Sequence, residues 1–197
     1  MPWLRPMIPV VEILVVAAVF AALLSFVVQP AFAGSSAMAP SVARNDWVVS
    51  FPLAYHLGSP QRGDVVVAGN PMGGGSTLIE RVVGLPGETL RIDHGHVYID
   101  GRLLCEPYLH ESDARAWTLH ATWPTDGAPY LIEPHQYFLL GDDRNVAVDS
   151  RVFGPVGQSD IRAWVWARIL PASRLGPVAS EPPRVTATPY PALGGCG

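Results

Sequence analysis

The sequence predicts a mainly β, antiparallel domain preceded by one N-terminal transmembrane helix. Three observations predict it. Residues 10–28, VVEILVVAAVFAALLSFVV, are apolar except for Glu12 and Ser25. From residue 46 onward, short β-branched runs alternate with Gly, Pro and Asp, the punctuation of strands and turns. No run with useful helical periodicity follows residue 30, so the outer part reads as antiparallel sheet.

The apolar run comes first. Nineteen residues at about 1.5 Å rise span roughly 28 Å, close to the bilayer core. The apolar stretch of a signal peptide is shorter, about 7–15 residues, so a retained anchor over 10–29 is expected, with lipid as its partner. Glu12 lies near the entry end, where a charge costs less than at mid-membrane. Arg5 is the only charged side chain before it, and together with the α-amino group it places the short 1–9 segment inside. The domain over 30–176 is then extracytoplasmic, on a single-pass protein of the cytoplasmic membrane. Gln29-Pro30 is expected to end the helix, since proline cannot continue it.

The predicted strands are 47–51, 64–69, 77–85, 89–93, 96–101, 136–142 and 161–170. Residues 177–197 are rich in proline, end in GGCG, and are expected to be a loose tail. Cys105 and Cys196 are the only cysteines. One pair so far apart is neither a disulfide framework nor a metal-ligand spacing, so two free thiols are expected. A net charge of −4 implies no basic surface and no nucleic-acid partner. The 13 Lys+Arg residues are all arginine, so the chain has no lysine. Guanidinium does not deprotonate in proteins, so no side-chain amine is available as a base.

Five stretches carry a resemblance: FVVQPAFAGSSAMAPSV (26–42), RGDVVVAGNP (62–71), IERVVGLPGETL (79–90), GHVYIDGRLLCEPYL (95–109) and GDDRNVAVDSRVFGPV (141–156), the last followed by ARILPASRLG (167–176). In this order they resemble the bacterial type I signal peptidases, membrane-anchored Ser/Lys proteases. The resemblance implies a serine directly before Met-x-Pro as nucleophile; that position is Ala37. It implies a buried neutral lysine directly before Arg-x-x-Gly as general base; that position is Glu80. It implies a serine two residues before Asp-Ser-Arg that orients the lysine; that position is Ala147. All three groups are replaced. Ser35 stands at the oxyanion-hole position. Arg81, Asp142, Asp149 and Arg151 match the ion pairs that brace the family's site. Asp143 and Asn145 also depart from the family's usual residues.

The resemblance with these replacements implies a signal-peptidase-like membrane protein that is non-catalytic and binds exported precursor polypeptides or joins another membrane complex. The alternative is an active signal peptidase using non-standard groups. One such scheme has Glu80 as base with Asp142, Asp143 or Asp149 as partner; another shifts the register by one residue to make Ser36 the nucleophile. The plainer expectation is that Glu80 pairs with a nearby arginine. No cofactor is implied. His94-Gly95-His96 reads as a hairpin turn rather than a metal site, Arg62-Gly63-Asp64 as the opening of a strand, and Gly73-Gly74-Gly75 as a flexible hairpin turn. Trp47, Trp164 and Trp166 read as core or membrane-surface aromatics. Ala31-Phe32-Ala33, at a small-x-small cleavage spacing, falls inside the enzyme-like loop.

Overall fold

The computed structural model describes residues 7–109, 123, 127–178 and 182–190, without the side chains of 7–9, 22, 23, 25 and 188. In chain order the elements are α1 (Met7–Val27), β1 (Gln29–Phe32), β2 (Trp47–Phe51), α2 (Ala54–Leu57), β3 (Val65–Gly69), β4 (Thr77–Gly84), β5 (Thr89–Asp93), β6 (His96–Ile99), β7 (Arg102–Cys105), β8 (Tyr130–Leu131), β9 (Gln136–Leu140), α3 (Ser150–Phe153), β10 (Val156–Gly157), β11 (Ile161–Leu170), β12 (Gly176–Pro177) and β13 (Arg184–Pro189).

Two sheets result, and every pairing is antiparallel. The larger runs β1-β2-β11-β3-β4-β9-β10, with β12 on β11. The smaller runs β13-β7-β6-β5-β8. Strands with apolar residues on both faces hold the molecule together. In β3, Val65 and Val67 enter one core cluster while Val66 and Ala68 enter another. In β9, Phe138 and Leu140 face the cluster shared with the smaller sheet, and Leu139 faces the opposite one. Period-2 alternation sends successive side chains to opposite faces, so strands covered on both sides read as continuous apolar runs. Gly84 is needed where β4 passes beneath the smaller sheet. A Cβ there would collide with the Ile132 side chain and lie 2.9 Å from Phe138 Cβ.

Several expectations change. α1 ends at Val27, and Gln29-Pro30 opens β1, pairing with Ser50 and Val49 of β2. Proline is tolerated there because β1 is an edge strand. Among the described residues no helix is long and apolar enough to cross a membrane. α1 has 21 residues, but its side chains are described without a break only over 10–21. The run 96–101 is two elements: Asp100 and Gly101, both at positive φ (52° and 73°), turn β6 into β7. The tail is not loose throughout, since β13 lies within it and closes the edge of the smaller sheet against β7. Cys105 is disulfide-bonded rather than free; the other cysteine, Cys196, lies outside the described residues. Linear separation carried no information about that bond, because it does not report spatial proximity. His94 and Gly95, at φ 47° and 79°, form the β5–β6 turn.

Candidate functional site

The site forms where the turn after β1, the middle of β4 and the loop from β9 to α3 meet. The turn is tied down from several sides. Asp46 Oδ2 accepts from the Ala43 amide at 2.9 Å and from Arg174 Nε at 3.1 Å. Arg174 also donates to the Pro40 carbonyl at 2.8 Å, and Arg168 donates to the Ser41 carbonyl. The turn therefore presents Ala37, a buried residue, in a fixed place.

Gly141 is the meeting point. A Cβ at this glycine would collide with the Ala147 methyl and lie 2.6 Å from the Ala37 carbonyl oxygen and 3.0 Å from Glu80 Oε2. The three positions singled out in the sequence, which lie more than a hundred residues apart at the extremes, thus converge on one residue. The Ala37 carbonyl also accepts from the Asp143 amide at 2.9 Å, locking the turn to the loop. Ser35 is exposed, and its hydroxyl accepts from the Ala37 amide at 3.4 Å.

Around this centre stands a shell of buried ion pairs. Arg81 donates to both oxygens of Asp142, at 2.8 and 2.7 Å, and to Ser41 and the Gly63 carbonyl. Its guanidinium carbon lies 3.9 Å from the centroid of the buried Tyr108 ring. Arg151 donates to both oxygens of Asp149, at 2.8 and 2.7 Å, and to the Arg144 and Ala147 carbonyls. Asp149 also caps α3 and accepts from the Gly141 amide. Arg144 donates to both oxygens of Glu106 and to the Gly141 carbonyl. Bidentate charge-assisted pairs of this kind fix geometry as well as charge. Sequence reading named Arg81, Asp142, Asp149 and Arg151 but not Arg144, Glu106, Tyr108 or Gly141. All four of those fall inside the quoted stretches 95–109 and 141–156, so the signal was present without a way to pair them.

Glu80 is the exception. It is 1% exposed, and its Oε2 has no hydrogen-bond partner among the described residues. The expected arginine pairing does not occur: among the described residues Glu80 makes no ion pair, because the neighbouring guanidinium groups are committed to Asp142, Asp149 and Glu106. Burial raises the affinity of its carboxyl for a proton well above the ordinary glutamate level. The negative charges of Asp149 and Asp142 raise it further, against the opposing pull of Arg151 and Arg144.

A groove of about 470 Å³ is lined by Ala31 and Phe32 of β1, Thr77 and Ile79 of β4, and Val67 and Ala163 between them. β4 pairs with β3 from Thr77 to Arg81, but its pairing with β9 begins only at Arg81. Among the described residues the edge at Thr77–Glu80 therefore has a strand on one side only, and it ends at Glu80 of the centre.

A β scaffold of two antiparallel sheets, holding a cluster of buried ion pairs and a strand-lined groove, is the class of protein the fold defines. The profile of the family described as "Signal peptidase, peptidase S26" matches residues 7–170. The chain is 36% identical over 178 residues to the "Probable signal peptidase I-1" of Synechocystis sp. (strain ATCC 27184 / PCC 6803 / Kazusa), covering 86% of each chain. It is 31% identical to "Signal peptidase I S" of Bacillus subtilis (strain 168), over 70% of this chain and 74% of that one. A crystal structure of a signal peptidase I from Enterococcus faecalis V583 aligns at 32% identity and TM-score 0.44, covering 54% of this chain and 96% of that one. The chain belongs to the signal peptidase family, peptidase S26.

Proposed function

We propose that the chain is a non-catalytic member of this family that holds an exported polypeptide as an extended strand in the groove between β1 and β4. One observation carries the reading. Ala37, Glu80 and Ala147 meet at Gly141 in a chain with no lysine. A methyl group at Ala37 cannot attack a carbonyl, and loss of the nucleophile in such sites typically costs about 10⁶ in rate. Adding a strand to a free sheet edge requires backbone pairing and small side-chain pockets, neither of which depends on a nucleophile. The one-sided edge at Thr77–Glu80 supports that mode.

The same reading places the domain at the outer face of the cytoplasmic membrane. The 21 residues of α1 span roughly 32 Å at about 1.5 Å per residue. Arg5 ahead of it favours an internal N-terminus. The disulfide bond at Cys105 suits an oxidising compartment. Exposed Phe32, Trp47 and Trp166 suit the interfacial zone. The partner is an exported precursor or another membrane complex.

The competing reading, an active peptidase using non-standard groups, would draw on the proton-holding carboxyl of Glu80. Of its three candidate partner carboxylates, arginines hold Asp142 and Asp149, while Asp143 accepts from the Asn145 amide at 3.2 Å. Incubating the purified full chain with a precursor bearing an Ala-x-Ala site separates the two. Binding without cleavage is expected. Cleavage that disappears in Glu80→Gln overturns the non-catalytic reading.

A further inference from the structure

Residues two apart in a regular strand share a face, yet Ile161 and Ala163 of β11 enter different core clusters. Ile161 pairs with Ala68 and Ala163 with the adjacent Val67, so Arg162 is an extra residue in β11. Such a bulge leaves its residue out of the ladder and re-aims the side chain. Here the guanidinium is laid against Gly69 of β3. A Cβ at Gly69 would lie 3.2 Å from Arg162 Nη2 and 3.6 Å from Nε. The glycine thus supplies the room that the guanidinium occupies.

Arg162 is exposed. Unlike Arg81, Arg144 and Arg151, it makes no hydrogen bond or ion pair among the described residues. Asp160, two residues earlier, has its carboxylate beside Gly157 instead. The Arg162 side chain lines two cavities. One is the groove of about 470 Å³ between β1 and β4, whose other lining residues carry no charge. The second, of about 430 Å³, is also lined by Tyr55 and His56 of α2 and by Ser159. Neither lining contains an aspartate or a glutamate. Gly69, beside the guanidinium, pairs with Thr77 at the outer end of the one-sided β4 edge. The positive group therefore stands one strand in from the edge that a bound strand would extend.

We infer that Arg162 is the recognition group for a carboxylate carried by the bound polypeptide, either an Asp or Glu side chain or a free C-terminus. This rests on the extended-strand reading above and adds a charge preference to it. A guanidinium presents its N–H donors in a fixed planar fork that matches both oxygens of a carboxylate. One charged group in an otherwise uncharged groove makes the preference local to a single position of the ligand. The rest of the groove selects by backbone pairing and shape.

The test uses the full-length chain in nanodiscs and fluorescent extended peptides of one background sequence. One set moves a single glutamate along the peptide and matches each position with glutamine. A second compares free with amidated C-termini. For the wild-type protein, one carboxylate position is expected to bind about tenfold more tightly than its neutral match. That preference is expected to vanish in Arg162→Gln, and in Arg162→Glu the same position should instead favour lysine. Both variants change an exposed side chain, and their folding is checked by thermal unfolding. The preference should persist in Arg44→Gln, which removes the same charge from an exposed residue outside the groove lining. Which set shows the preference identifies the carboxylate. A preference absent from every position, retained in Arg162→Gln or lost equally in Arg44→Gln overturns the inference and leaves the extended-strand reading standing. Binding of no peptide overturns that reading itself.

Discussion

Arg81, Arg144 and Arg151 each meet a carboxylate with both oxygens engaged, whereas Glu80 makes no ion pair among the described residues. The shell and the centre thus follow different rules. Each member of the shell supports the fold: Asp149 caps α3, Arg151 holds two loop carbonyls, and Arg81 joins β4 to the turn that carries Ala37. The centre carries no such duty. A methyl at Ala37 or Ala147 removes chemistry without leaving a buried group unpaired. The comparison teaches that the bonds holding the centre in place are made by the surrounding ion pairs and not by the three residues that occupy it.

Breaking the shell should give the largest effect. Asp142→Ala strands Arg81, which is 1% exposed, without its counter-charge. Loss of one partner from a buried pair costs about 3–5 kcal/mol, to be read as a lowered midpoint in chemical denaturation. A midpoint like that of the wild type would mean the shell is not structural.

The centre should respond to pH with the opposite sign from a paired carboxylate. Folding raises the proton affinity of Glu80, whereas in the unfolded chain it ionises near pH 4.3. The stability it favours is therefore fully present below about pH 4.3 and is lost as pH rises toward its elevated folded-state value. Between those limits the wild type should lose stability relative to Glu80→Gln, and parallel pH–stability curves would contradict this. At neutral pH, Glu80→Met removes the desolvated oxygen and should stabilise by about 1–3 kcal/mol, seen as a higher melting temperature.

The smallest change is expected at the half-buried Ala147. Ala147→Ser should shift stability by less than about 1 kcal/mol and produce no precursor cleavage, and Ala37→Ser alone should likewise produce none. Turnover by either single variant would show that the centre retains a working base.

Much of this was legible in the sequence. Strands buried on both faces, such as Val65–Gly69 and Gln136–Leu140, announced themselves as unbroken apolar runs, and Ala37, Glu80 and Ala147, singled out by motif spacing, lie together around Gly141. The failures share a cause. Asp100-Gly101 is a turn signal that was absorbed into a strand because apolar residues flank it on both sides. Arg184–Pro189 lies in a proline-rich tail, directly after Pro182-Pro183, and so did not read as a strand, yet at a sheet edge the missing N–H of its own Pro189 costs little. The Cys105 bond and the solitude of Glu80 depend on which groups meet in space. A nearby arginine was the expected partner of Glu80, but Asp142, Asp149 and Glu106 engage Arg81, Arg151 and Arg144.

The groove between β1 and β4 has a consequence for measurement. A sheet with a place for one more strand is an unfinished fold, and whatever occupies that place completes it. Occupancy should then register as resistance to unfolding, growing as RT ln(1 + [L]/Kd), so that partners can be ranked by how far each raises the melting temperature.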